Sequence, residues 1–185
     1  YGTGNFILSS LENFPKIKKV YGIEFHKNYE WSFKAKLLRM CLNSKKHISE
    51  IKLFKDNIFN HSFETDFFRN SKNILIIGNP PWVTNTELSF SESTNLPEKK
   101  NFKKFKGIEA ITGKSNFDLA EYIILQLLGI FSEFSGEVVM LCKNIVIKNL
   151  VKELPNYKFK ISSIRSISID SRAIFEKNVD ASLMI

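Results

Sequence analysis

A doubly wound α/β sheet with an antiparallel edge is the fold class this sequence predicts, and three observations predict it. Short β-branched runs alternate with longer stretches of helical spacing along most of the chain. One such run, Ile74-Leu75-Ile76-Ile77-Gly78, stops abruptly at Asn79-Pro80-Pro81, because prolines cannot continue a sheet ladder. The last two extended stretches follow one another with only a turn between them, so they are expected to pair antiparallel.

In order, Tyr1-Gly2-Thr3-Gly4-Asn5-Phe6 comes first. Gly2 and Gly4 permit a tight turn and close approach of a ligand to the backbone. Phe6, Ile7, Leu11 and Phe14 have helical spacing that ends at Pro15. A Gly-x-Gly loop thus enters a helix N-terminus, which can receive the polar end of a ligand. The third glycine of a dinucleotide fingerprint is missing, its place taken by Ile7. Val20 to Ile23 reads as a strand ending in Glu24, twenty residues after Gly4. An acid at that distance and at a strand end suits a ribose diol. Phe25 and His26 follow it and could flank a base. Tyr29 to Leu42 is an amphipathic helix with Trp31, Phe33, Leu37, Leu38 and Cys41 as its apolar residues. Ser49 to Phe54 is a third strand, with Asp56 just beyond its end. That carboxylate can accept from an exocyclic amine, with Asn57 beside it and Ile58 or Phe59 packing the ring. Asn60 to Arg69 is a loop with a short turn.

The strand at Ile74–Gly78 is expected to be buried, and it delivers Asn79 and Trp82 to its carboxyl end, where open α/β sheets bind ligands. Asn79 offers an amide oxygen, Pro80 a carbonyl without an N–H, and Trp82 a flat face. Two acceptors beside an aromatic plane suit a planar group carrying an NH2, such as adenine. Residues 83–114 lack periodicity, and Lys99, Lys100, Lys103, Lys104 and Lys106 interleave there with Phe102 and Phe105, a pattern that suits phosphates. Gly107 to Ser115 has five residues between its glycines rather than four, and no strand before it, so it is not a nucleotide-phosphate loop. Ser115 or Asn116 is expected to cap a helix over 117–134, followed by a strand over 137–142 and a helix from Asn144 to Leu154. Tyr157 to Ile169 and Val179 to Ile185 are the closing strands, with a turn from Asp170 to Asp180 between them.

The 185 residues are 43% hydrophobic and 25% charged, the balance of one globular domain. No apolar run reaches the roughly 18 residues that a membrane span requires. The net charge of +8 and pI near 9.4 favour a polyanionic partner. Cys41 and Cys142 have no metal or redox spacing and read as free thiols of a reducing compartment. His26, His47 and His61 form no ligand pattern, so no metal is expected.

Asn79-Pro80-Pro81-Trp82 resembles the catalytic tetrad of S-adenosylmethionine-dependent amino-methyltransferases, and most of all the DNA adenine-N6 methyltransferases of restriction–modification systems. The resemblance covers the chain apart from 83–114, with the cofactor motif before the catalytic one. It implies a Rossmann-like, seven-stranded methyltransferase sheet with an antiparallel C-terminal hairpin. It also implies S-adenosylmethionine bound by Tyr1 to Phe6, by Glu24 with Phe25, by Asp56 with Asn57 and Ile58, and beside Asn79. Ala173-Ile174-Phe175-Glu176-Lys177-Asn178 resembles a further motif of the family, in which the aromatic at Phe175 stacks on a flipped-out base. The implied partner is duplex DNA. A target-recognition domain and a fused or associated restriction endonuclease are further implied partners, and the implied location is the cytoplasm of a bacterium.

Two departures stand out. The family's first, central strand would precede Tyr1, and a target-recognition domain would follow Ile185, so the 185 residues are expected to be a methyltransferase catalytic domain from a longer polypeptide. Related enzymes with Asn-Pro-Pro-aromatic motifs methylate a glutamine amide in release factors or a guanine in ribosomal RNA, and a non-catalytic nucleic-acid-binding domain is a third reading.

Overall fold

The computed structural model of the chain describes residues 1–43, 50–83, 118–176 and 179–185, which form two units, Tyr1–His61 and Ser62–Ile185. In the first unit, α1 (Asn5–Asn13) leads to β1 (Lys19–Glu24), α2 (Glu30–Asn43) and β2 (Glu50–Lys55). β1 and β2 run parallel, in register from Lys19 opposite Glu50 to Glu24 opposite Lys55. Parallel neighbours need a long crossover, and α2 provides it. Leu11 of α1, Val20 of β1 and Phe33 and Leu37 of α2 form the buried core, with the Tyr1 ring 5.0 Å from that of Phe33. Trp31 departs from the expected apolar face and is 73% exposed. It precedes Phe33 by two residues, about 200° around the helix, so both cannot face inward. Lys34 Nζ lies 5.6 Å from its ring centre instead.

In the second unit, β3 (Ile74–Gly78) is followed by α3 (Leu119–Phe131), β4 (Gly136–Lys143), α4 (Asn144–Glu153), β5 (Ser166–Ser168), α5 (Ser171–Phe175) and β6 (Ala181–Met184). The sheet order is β3-β4-β6-β5, with β3 parallel to β4 and β6 antiparallel to both its neighbours. Every residue of α3 from Leu119 to Leu127 is buried. Met140 and Cys142 of β4 and Val146 and Leu150 of α4 complete this core. No helix among the described residues is long and apolar enough to cross a membrane.

The mixed α/β class and the antiparallel end agree with expectation. The described residues make two sheets of two and four strands, fewer than the seven of the implied fold. β3 is only partly buried, with Leu75 39% exposed, because β4 is its one strand neighbour among the described residues. Of the strand expected over Tyr157–Ile169, only the part that pairs with β6 is formed among the described residues, Ser166–Ser168. Arg165 and Ile185 extend the ladder by exchanging both backbone bonds, at 2.7 and 2.8 Å. The turn expected between the closing strands contains the short helix α5. Asp118 caps α3, its carboxylate accepting from the Ala120 N–H at 2.9 Å. The expected caps Ser115 and Asn116, the lysine-rich stretch and the Gly107–Ser115 loop lie outside the described residues, as do Lys177 and Asn178.

Candidate functional site

In the first unit, a Gly-x-Gly turn and two carboxylates meet at the carboxyl ends of β1 and β2. Gly2 and Gly4 adopt left-handed φ angles of 52° and 85°, which favour glycine. The turn closes with the Gly4 N–H donating to the Tyr1 carbonyl at 2.8 Å, and Gly4 is the N-cap of α1. As a glycine it has no side chain to offer the first-turn amides, so these donors are available to a ligand. The Gly2 N–H donates to Glu24 Oε2 at 2.8 Å, and the His26 N–H to Glu24 Oε1 at 2.7 Å. These bonds join the glycine turn to the acid. The Asp56 N–H donates to the Glu24 carbonyl at 3.0 Å, so the two acidic positions are neighbours across the strand ends. Thr3, Asn5, Phe6 and Phe25 are exposed around this edge.

Asp56 accepts from the Asn57 N–H at 2.7 Å and pairs with His61 Nδ1 at 2.8 Å. The His61 bond holds its carboxyl below the usual carboxylate value, against the opposing effect of burial. The Asn57 side-chain oxygen accepts from the Phe59 N–H at 3.1 Å, an Asx turn that reverses the chain past the half-buried Ile58. His61 is the feature that sequence reasoning passed over. Its only signal was a turn-forming Asp-Asn pair just upstream.

In the second unit, Asn79 is exposed immediately after β3, and Pro80 is buried behind it. Trp82 is fixed by its indole N–H, which donates to the Leu141 carbonyl of β4 at 3.2 Å. The Val83 carbonyl accepts from the Leu119 N–H at 3.1 Å and ties the segment to the start of α3. Phe175, the last residue of α5, comes to 5.9 Å from the Trp82 ring with an interplanar angle of 85°. The structure thus unites two aromatics from distant motifs. They meet edge to face rather than as two parallel plates.

α5 owes its position to a cap and a tether. The Asp170 carboxylate accepts from the N–H groups of Arg172 and Ala173 at 3.1 and 3.0 Å. Ser171 Oγ donates to the Val179 carbonyl and accepts from its N–H at 3.2 Å. Behind it, Asn144 holds Asp180 through its side chain at 2.5 Å and its N–H at 2.9 Å. Among the described residues no cluster of three or more His, Cys, Asp or Glu could hold a metal ion.

The first unit offers backbone donors and two carboxylate acceptors on adjacent strand tips, which suits a ligand bearing a diol and an exocyclic amine. The second offers an exposed amide and an aromatic pair, which suits a planar amine. No family model matches the chain. The chain is 36% identical over 184 residues to the Type II methyltransferase M.NspV of Nostoc sp., an alignment that covers all of this chain and 37% of that protein's length.

Proposed function

We propose that this chain belongs to an S-adenosylmethionine-dependent DNA methyltransferase of a restriction–modification system, acting on the N6 amino group of adenine. The observation that carries the reading is the Asn79-Pro80-Pro81-Trp82 exit from β3, with Trp82 anchored to Leu141 and set against Phe175. The identity to a Type II methyltransferase supports it along the whole chain.

In this reading the Gly2–Gly4 turn and the α1 N-terminus take the polar end of S-adenosylmethionine, Glu24 its ribose diol and Asp56 its adenine amine. Phe25 and Ile58 flank the adenine. Bound there, the cofactor supplies a sulfonium methyl group. The target adenine must leave the duplex, because its amino nitrogen is out of reach within the stack. Trp82 gives the extruded ring a stacking face, worth roughly 1–3 kcal/mol, and Phe175 walls its edge. Asn79 Oδ1 and the Pro80 carbonyl accept the two amino hydrogens and turn the nitrogen lone pair outward for attack. The attacking amine is neutral, so these residues need no strong base. Positioning of this kind supplies about 7–11 kcal/mol of the barrier reduction in well-oriented reactions. The excess of positive charge serves the phosphate backbone.

A transfer assay with labelled methyl donor tests this when the full protein is offered duplex DNA, ribosomal RNA and a release factor. Label is expected in duplex DNA. Label confined to RNA or to the release factor would replace the substrate class, and transfer to none would overturn the reading.

A further inference from the structure

We propose that His61, steadied by Tyr21, is a positioning residue that presents the Asp56 carboxylate to the cofactor's adenine and so sets selectivity for its 6-amino group. This rests on the cofactor reading above.

His61 is 8% exposed, and both of its ring nitrogens are engaged. Nδ1 lies 2.8 Å from Asp56 Oδ2, and Nε2 lies 2.7 Å from the Tyr21 hydroxyl. The ring packs against two aromatics that touch each other, 5.7 Å from Tyr21 and 5.0 Å from Phe54, which themselves approach to 4.8 Å. Tyr21 is on β1 and Phe54 on β2, so the sheet itself builds the box. Asp56 differs in kind: its side chain is 44% exposed, against 4% for that of His61.

The donor sequence follows from what each group can do. An ionised carboxylate only accepts, so His61 Nδ1 carries a proton and donates to Asp56. Nε2 faces the Tyr21 hydroxyl, which can either donate or accept. The chain Tyr21 to His61 to Asp56 is satisfied at every step and leaves the carboxylate charged. Each Asp56 oxygen commits one acceptor position within the protein, one to His61 and one to the Asn57 N–H. A carboxylate has about four such positions, so the outward ones remain for a ligand. A half-exposed acid gripped from its buried side has a fixed plane. That is what discrimination between an amine and a carbonyl on a base requires. The depressed pKa of Asp56, caused first by the His61 bond, agrees with this role.

Calorimetric titration of the full protein with two ligands tests the proposal. One is S-adenosylhomocysteine. The other is its deaminated counterpart, in which a carbonyl oxygen replaces the 6-amino group. The readout is the ratio of the two affinities, which a partly unfolded sample does not change because both ligands weaken together. His61→Leu is expected to reduce the ratio about tenfold, the scale of one hydrogen bond to a charged group. His61→Asn, whose amide nitrogen can replace the Nδ1 donor, should recover most of the ratio. Tyr21→Phe keeps the aromatic packing and should give a smaller reduction. An unchanged ratio in His61→Leu, or equal weakening of both ligands, overturns the proposal alone. A wild-type protein that binds neither ligand overturns the cofactor reading and this proposal with it.

Discussion

Replacing Gly4 by Ala tests how the glycine turn is built into the first unit. A Cβ placed on Gly4 would lie 1.9 Å from Phe33 Cδ2, 2.3 Å from Cε2 and 2.8 Å from Cγ. Phe33 is fully buried between Leu11, Val20 and Leu37, with Tyr1 against its ring, so the ring has no free volume into which to retreat. Overpacking of this kind costs about 1–3 kcal/mol. The φ of 85° adds about 1–2 kcal/mol for a residue with a Cβ. The sum, about 2–5 kcal/mol, is a large part of the 5–15 kcal/mol that typically stabilises a domain. Gly2 is the internal control. Its φ is 52°, but a Cβ added there would meet nothing within 4 Å, so Gly2→Ala carries the strain alone. Urea unfolding of both variants in the full protein should place Gly4→Ala below Gly2→Ala by about 1–3 kcal/mol. Equal midpoints would refute the claim that the turn is locked against Phe33.

Three further outcomes are expected. Asp118→Ala removes the α3 cap and the partner of Lys143 at 3.6 Å, and should cost about 1–2 kcal/mol in thermal unfolding, with Asn or Ser restoring most of it. Trp82→Phe loses the bond to Leu141 but keeps an aromatic face, so it should slow methyl transfer much less than Trp82→Ala, which forfeits stacking worth roughly 1–3 kcal/mol; equal rates for the two variants would remove the stacking role. The folded Asp56 carboxyl titrates below its ordinary value of 3.8, so its contribution to stability is present above that value and lost as pH falls through the lower one. The stability difference between wild type and Asp56→Asn should therefore shrink as pH falls below about 4. A difference that vanishes near neutrality would contradict the pairing.

What could be read from the sequence was whatever has a strong local cause. The β3 run ends where prolines force it to, and Asn79 and Trp82 follow without any long-range information. Glu24 was visible as an acid at a strand end and Asp56 as one just past a strand end, and parallel pairing from Lys19–Glu50 to Glu24–Lys55 then makes them neighbours. What escaped depends on partners remote in sequence. Alternation through Tyr157, Phe159 and Ile161 has the period of a strand, yet a period does not supply a ladder partner, and among the described residues the strand here is Ser166–Ser168, paired with β6. A five-residue helix such as α5 is too short to show a period, and it forms where Asp170 caps it and Ser171 ties it to Val179. His61 gains its role only when the Asn57 turn folds it back toward Asp56, under rings from two strands.

The central claim is that an amide and a proline carbonyl at the tip of β3 grip an exocyclic amine for methylation. Its most direct test is nucleoside analysis of duplex DNA after incubation of the full protein with S-adenosylmethionine, comparing wild type with Asn79→Ala. The account predicts N6-methyladenine from wild type and none from the variant, while the variant still binds S-adenosylhomocysteine. N6-methyladenine formed by Asn79→Ala at close to the wild-type rate would contradict it.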